Sequence, residues 1–277
     1  MLGRRIASAA VLVPIIVAVF LLGQPWIDGF VVVVALLAGW ETFALLASAG
    51  YRGFARYGSA LAAALVIEGA ALSGRETEPL LALPAVGILL AGAAALRLQD
   101  PHAGLAAWVA TAFGAAYVGL LGFAPLLVAI APPVSSSALL GSLDGGRGWL
   151  IVLVAGVWSY DSCAYAFGRA FGRRRFLQHI SPAKTYAGLF GGLAGAVAVS
   201  ALVLGGLGRS PLEGVPVGLL LGIGAQAGDL VESMLKRAAN AKDSGRLIPG
   251  HGGVLDRVDS FLFAAPILAG YLALVTR

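Results

Sequence analysis

Residues 213–276 read EGVPVGLLLGIGAQAGDLVESMLKRAANAKDSGRLIPGHGGVLDRVDSFLFAAPILAGYLALVT. Two apolar runs, 213–235 and 258–276, flank a charged, glycine-rich segment. An apolar run of about 20 residues is the length of helix that crosses the hydrocarbon core of a bilayer. The stretch therefore reads as membrane helix, polar loop, membrane helix. Residues 228–260 hold ten of the chain's 33 Asp, Glu, Lys and Arg residues. Charge placed against lipid is costly, so this concentration marks a functional region.

Working outward, the rest of the chain repeats the apolar pattern. With 59% hydrophobic and 12% charged residues, the composition is that of an integral membrane protein. Nine spans are expected, at roughly 6–23, 27–48, 58–74, 79–97, 105–131, 149–167, 187–206, 213–235 and 258–276. The fifth is long enough to be tilted, partly interfacial, or kinked at Pro125, and the short third carries Glu68. The expected fold is all-α and polytopic. A single membrane domain covers 1–277, with N-terminal helices over 1–150 and the motif-bearing helices over 151–277. The sequence contains no fixed-period repeat or low-complexity tract.

Lys and Arg set the orientation. With a cytoplasmic N-terminus, the inside segments hold fifteen of the 19 basic residues and the outside segments only Arg75, Arg147, Arg209 and Arg277. This bias predicts an odd number of spans in the inner (plasma) membrane, with the N-terminus and both large basic loops cytoplasmic. The N-terminal apolar run follows Arg4 and Arg5 and lacks a small-residue cleavage pattern, so it reads as a retained span. No basic soluble module points to nucleic acid. Cys163 is the lone cysteine and reads as an apolar filler.

Two loops carry the chemistry. In the later one, Asp229 and Glu232 are three residues apart on one helical face, which Lys236 continues. Asp229 lies about 10 Å deeper along the helix than Lys236. Asp256 and Asp259 repeat the three-residue spacing where the last span begins. Two carboxylate pairs at the ends of a helix hairpin suit a hard cation such as Mg²⁺, which takes one or two carboxylates plus substrate phosphates. A second metal or a monovalent ion is compatible with the same set. The glycines of PGHGG allow positive φ and close approach to a ligand, while Lys236, Arg237, Lys242, Arg246 and His251 offer phosphate contacts.

Simpler readings stand beside these. Asp256 could cap the last helix with Asp259 in its first turn, Glu232 could pair with Lys236 or Arg237, and His251 could be structural. In the earlier loop, SPAKT sets Ser181, Lys184 and Thr185 before the seventh span, which fits an anion site or a helix start with Ser181 as cap and Pro182 in the first turn. Asp161, two turns inside span six, supports the same cavity or pairs with Arg169. Arg173, Arg174 and Arg175 suit anionic headgroups as well as topology.

The run from Ser233 to Asp259, SMLKRAANAKDSGRLIPGHGGVLDRVD, closely resembles the signature of the phosphatidate cytidylyltransferases, or CDP-diglyceride synthases. The matching positions are Ser233, Lys236, Arg237, Lys242, Asp243, Gly245, His251, Gly252, Gly253, Asp256, Arg257 and Asp259. GDLVES, DSCAYAFGR and SPAKT are also similar to this family. Ala187 departs from it, standing where members usually carry Glu. The resemblance is strong over roughly 158–260.

It implies transfer of a cytidylyl group from CTP to phosphatidate, giving CDP-diacylglycerol and pyrophosphate, in a multi-pass membrane enzyme. A homodimer is compatible with it. Asp229 and Asp256 are then expected to hold Mg²⁺ and, with Lys236 and Lys242, to carry catalysis. Ser181, Lys184, Thr185, Ser233, Arg237, His251, Gly252, Gly253 and Arg257 are expected to bind substrate. Asp161, Glu232, Asp243 and Asp259 are expected to stand behind them. Two alternatives are a CTP transferase acting on an isoprenoid or ether lipid phosphate, and an ion-coupled transporter or flippase. Transporter ion sites usually lie near the midplane on broken helices, whereas these charges cluster at one membrane face.

Overall fold

The computed structural model describes residues 2–71 and 82–275. The last residues of the expected third span, the first of the fourth, Arg75, residue 276 and Arg277 lie outside the described residues. The described chain is helical throughout: α1 (Leu2–Leu22), α2 (Trp26–Ser48), α3 (Ala55–Ala71), α4 (Ala82–Ala95), α5 (Pro101–Gly119), α6 (Phe123–Ile130), α7 (Gly145–Phe171), α8 (Tyr186–Gly206), α9 (Gly214–Ala238) and α10 (Leu255–Val275). Each expected span overlaps a described helix, the fifth overlapping two, and the protein is a polytopic membrane protein. Trp26–Ser48, Pro101–Ile130, Gly145–Phe171, Tyr186–Gly206, Pro211–Ala238 and Leu255–Val275 are long and apolar enough to cross a membrane. Shorter apolar helices lie at Ala10–Leu22 and Leu83–Ala95, and α3 has 17 residues.

The expected fifth span is broken, but not at Pro125. A 3₁₀ turn at Leu120–Gly122 separates α5 from α6. Pro125 sits third in α6, in the first turn, where its missing N–H removes no intrahelical bond. The turn lies where Gly69 of α3 approaches so closely that a Cβ there would stand 2.3 Å from the Gly122 carbonyl oxygen.

The helices gather into two compact units. The first comprises 1–125 and 235–258, the second 126–234 and 259–277. The charged loop after α9 thus belongs with the N-terminal helices. In the first unit, α2, α3 and α5 pack around Phe43, whose ring occupies the space a Cβ would need at Gly58 of α3 and Gly114 of α5. Small residues let helix backbones approach without a hydrophobic drive between them, as membrane packing requires. Thr111 of α5 accepts the Phe54 N–H at 2.8 Å and so ties down the turn before α3.

The second unit is built on the α7–α8 pair and on glycines of α9. A Cβ at Gly214 or Gly218 would meet the α8 backbone at Ala201 or Val197, and one at Gly224 or Gly228 would meet the α10 backbone at Ala264 or Asp259. One glycine-lined helix therefore packs closely on two neighbours. The buried Tyr160 hydroxyl of α7 donates to Gln226 of α9 at 2.6 Å. This fixes the rotation of α9 three residues before Asp229.

Candidate active site

Within the first unit, the chain leaves α9 through a left-handed residue. Asn240 has φ 51°, and Ala241 N–H returns to the Lys236 carbonyl at 2.8 Å. Such a C-terminal turn satisfies carbonyls left open by the helix, and Lys236 and Arg237 in its last turn suit the helix dipole. The segment Ile248–His251 closes with His251 N–H on the Ile248 carbonyl at 2.9 Å. Pro249 and Gly250, the latter at φ 80°, fit the second and third positions of a type II turn. The glycine-rich stretch is therefore a defined turn before any ligand binds.

Asp256 is the hub of this loop. Its Oδ1 accepts Lys236 Nζ at 2.7 Å. Its Oδ2 lies 2.9 Å from Ser244 N, 2.9 Å from Ser244 Oγ and 2.8 Å from Gly253 N. An N-cap carboxylate accepts from the helix's own second or third N–H. Asp256 instead sits inside α10 and reaches back to loop N–H groups, so it is not the cap that one sequence reading allowed. Gly253 is likewise turned inward. Its N–H is given to Asp256, and a Cβ there would stand 2.2 Å from Ser244 Oγ and 2.4 Å from Glu41 Oε2. The expected close approach to a ligand is, at Gly253, a close approach to the protein's own side chains.

Two partners of the loop come from the N-terminal helices. Glu41 of α2 accepts the Leu255 N–H at 2.8 Å and lies 3.1 Å from Ser244 Oγ. Ser8 of α1 and His251 Nδ1 are 2.8 Å apart. Sequence reasoning missed Glu41, Ser8 and Ser244. Glu41 did carry a signal, a carboxylate within an apolar span. Ser8 and Ser244 carried none. Arg237 at the end of α9, Lys242 and Asp243 in the loop, and Arg257 at the start of α10 are exposed.

Within the second unit, Lys184 Nζ forms an ion pair with Asp229 Oδ2. The Asp229 side chain keeps 34% of its surface exposed, and the buried Ser233 hydroxyl donates to its Oδ1 at 3.3 Å. Glu232, expected on the same face, is fully buried and so is no part of a solvated stripe. Asp259 Oδ1 accepts the Ser260 N–H at 2.7 Å, and its carbonyl lies at the Gly228 crossing.

The helix start in the earlier loop is later than Ser181. Thr185 is the cap of α8, accepting Gly188 N–H at 3.1 Å from an extended backbone, and is 7% exposed. Ser181 and Pro182 stay in the loop, where Lys184 N–H bonds the Ser181 carbonyl at 3.2 Å. Backbone bonds from Phe176 to Lys184 and from Tyr186 to Arg174, with the Phe176 and Tyr186 rings 5.2 Å apart, fold the loop back on itself and hold Lys184 beside Asp229. Arg169 donates to the Tyr165 hydroxyl at 2.9 Å, and Asp161 is exposed on α7.

Residues 3–275 match the model of the cytidylyltransferase family. The phosphatidate cytidylyltransferase of Brucella suis biovar 1 (strain 1330) is 43% identical over 188 residues, which cover 68% of this chain and 64% of that protein. The phosphatidate cytidylyltransferase of Bacillus subtilis (strain 168) is 46% identical over 121 residues, 43% of this chain and 45% of its own. The chloroplastic phosphatidate cytidylyltransferase 5 of Arabidopsis thaliana is 37% identical over 196 residues, 66% of this chain and 49% of its own. The chain spans less than two thirds of the length of these curated relatives. With almost all of its own length matched by the family model, the chain belongs to the cytidylyltransferase family.

Proposed function

We propose that the protein transfers the cytidylyl group of CTP to phosphatidate, releasing pyrophosphate, at the cytoplasmic face of the cell membrane. The observation that carries this reading is the Lys184–Asp229 pair. An ammonium just before α8 and a partly exposed carboxylate within α9 are a couple that a charged polyphosphate can separate. The ammonium would then turn to phosphate, and the carboxylate would be left to hold the accompanying cation. Family membership and the names of the similar proteins supply the nucleotide and the lipid.

The donor set fits a hard divalent cation of the Mg²⁺ kind. A carboxylate offers about four acceptor positions. Asp229 has one hydrogen-bond or ion-pair partner on each oxygen, and Asp256 Oδ1 has Lys236, so each keeps acceptor capacity. Among the described residues no three His, Cys, Asp or Glu side chains form a cage of their own. Mg²⁺ commonly completes its shell with water and substrate phosphates beside one or two carboxylates. On the sequence expectation, Asp229 and Asp256 would hold it, and when bound it would neutralise charge on the triphosphate.

The remaining steps belong to the chain's residues. Lys184, Lys236 and Lys242 bind phosphate oxygens as point charges, and Arg237 and Arg257 as planar forks. His251, held through Nδ1 by Ser8, presents Nε2 to the ligand. The phosphatidate oxygen is already anionic and needs no general base. It attacks the α-phosphorus of CTP, the new P–O bond forms, and the bond to the β-phosphate breaks with its electron pair leaving on pyrophosphate. Positioning and charge neutralisation dominate such a transfer.

The decisive assay is pyrophosphate release by the purified protein in detergent, with phosphatidate and each of CTP, ATP, GTP and UTP. Release with CTP alone, dependent on phosphatidate, is expected; release without lipid, or equally with any nucleotide, would overturn the reading. Orientation is tested by single cysteines at Arg174, Leu247 and Ser210, all exposed. The first two should label only from the cytoplasm and the third only from outside.

A further inference from the structure

Glu41 lies in the middle of α2, only 6% exposed, on the apolar N-terminal side of the chain. Its Oε2 is wired to the loop after α9 at two points. It accepts the Leu255 N–H at 2.8 Å, which belongs to the first residue of α10, and it lies 3.1 Å from Ser244 Oγ. The first N–H groups of a helix lack partners inside it, and a carboxylate there also meets the positive end of the dipole. Glu41 thus supplies, from another helix, an acceptor for the first N–H of α10. Ser244 extends the connection, because its N–H and its hydroxyl both reach Asp256 Oδ2, and its Oγ accepts the Asp256 N–H at 3.3 Å.

The loop is also shaped around this carboxylate. A Cβ at Gly245 would stand 2.2 Å from Glu41 Oε1, and one at Gly253 would stand 2.4 Å from Glu41 Oε2. Neither glycine has positive φ, so backbone conformation does not account for them. Their missing side chains leave the space that the Glu41 carboxylate fills. Glu41 Oε1 is shut off from solvent and has no hydrogen-bond partner. The useful bonds therefore all fall on one oxygen.

We propose that Glu41 is the positioning residue of the active-site loop, fixing Asp256 through Ser244 and the Leu255 N–H. This deepens the cytidylyltransferase reading and rests on it for its activity readout. Glu41 acts through Oε2 as a hydrogen-bond acceptor, and its second oxygen fills space between the glycines. An amide that keeps the acceptor therefore preserves the loop. An apolar side chain of the same length does not.

The test compares Glu41→Gln with Glu41→Met, and separately combines Gly245→Ala with Glu41→Ala. Turnover, the KM for CTP and the Mg²⁺ concentration for half-maximal rate are measured in detergent. Trypsin cleavage after the exposed Lys242 and Arg246 reads the loop independently of activity, and the melting temperature reports folding. Glu41→Met is expected to lower kcat at least tenfold, raise the Mg²⁺ requirement and speed cleavage of the loop. Glu41→Gln should stay within about threefold of wild type, since a neutral acceptor loses only part of a charge-assisted bond. Gly245→Ala should be severe alone. It should add little to Glu41→Ala, which removes the atom it would strike. Wild-type behaviour of Glu41→Met, equal damage by Gln and Met, or independent losses for Gly245→Ala and Glu41→Ala would each overturn the proposal. Should the wild-type protein release no pyrophosphate, the functional reading falls, while trypsin cleavage of the same variants still decides the role of Glu41.

Discussion

The loop that follows α9 and the loop that precedes α8 each bring a lysine to an aspartate, yet they are built to different ends. Around Lys236–Asp256 every element is committed. One carboxylate oxygen takes the ammonium, the other takes loop N–H groups, and a buried glutamate from α2 holds the serine between them. Side-chain exposure is 14% for Lys236 and 8% for Asp256. Around Lys184–Asp229 the pair is more open, with one long serine bond supporting the carboxylate and 34% of Asp229 exposed. A carboxylate tied to several fixed donors keeps its geometry when charge arrives, whereas a lightly held one can exchange partners at low cost. On the proposed function, the first loop is the preformed cradle and the second is the part that turns toward substrate.

The contrast breaks most visibly at Asp256. Asp256→Asn removes the charge facing Lys236 and places an amide among loop donors, so turnover should fall by about 10²–10³-fold, the scale of losing a preorganised electrostatic contact. Turnover against Mg²⁺ concentration, measured for Asp256→Asn, Asp229→Asn and the double variant, should show losses that do not multiply. Near-normal turnover in Asp256→Asn would reduce the cradle to a structural turn.

A loss of about 10²-fold is expected for Lys184→Ala, with normal membrane insertion and partial recovery in Lys184→Arg, because a planar fork replaces a point charge. If the open pair works by exchange, KM for CTP should rise in Lys184→Ala while the melting temperature barely moves. A large drop in melting temperature at unchanged KM would make Lys184–Asp229 as structural as its counterpart.

Ser244→Ala tests the wiring of the cradle. It removes the hydroxyl that lies beside both Glu41 and Asp256 but keeps the backbone N–H on Asp256. Loss of a hydrogen bond to a charged group costs about 1.5–3 kcal/mol, so about a tenfold or greater loss of kcat should accompany a lower melting temperature. Activity unchanged beside a lowered melting temperature would separate stability from positioning.

The smallest effect is expected at Ser8, whose hydroxyl lies 2.8 Å from His251 Nδ1. Ser8→Ala should raise KM for CTP a few-fold at most, in line with a net contribution of about 1 kcal/mol. No change in KM would remove α1 from the account of the loop.

The membrane class and the helical segments were legible because apolar length is a local property, counted residue by residue. Asp229, Asp256 and the lysines stood out because charge in an apolar chain is costly. The break at Leu120–Gly122 was not legible, since it follows from the approach of Gly69 rather than from Pro125 itself. The cap of α8 was misplaced by four residues for a similar reason. Ser181-Pro182 is a good local start signal, but backbone bonds from the returning loop hold those residues outside the helix, and Thr185 takes the cap.

The sequence by itself determined that this chain is a bundle of membrane helices with its polar chemistry in two loops, because hydrophobic length and charge need no knowledge of neighbours. Only the tertiary structure decided which side chains those loops serve. Glu41 stands 203 residues before Ser244, and Ser8 stands 243 before His251. No spacing rule links positions so far apart. They meet because the N-terminal helices and the loop pack in one unit, where a buried acceptor must find donors and a backbone N–H must find an acceptor.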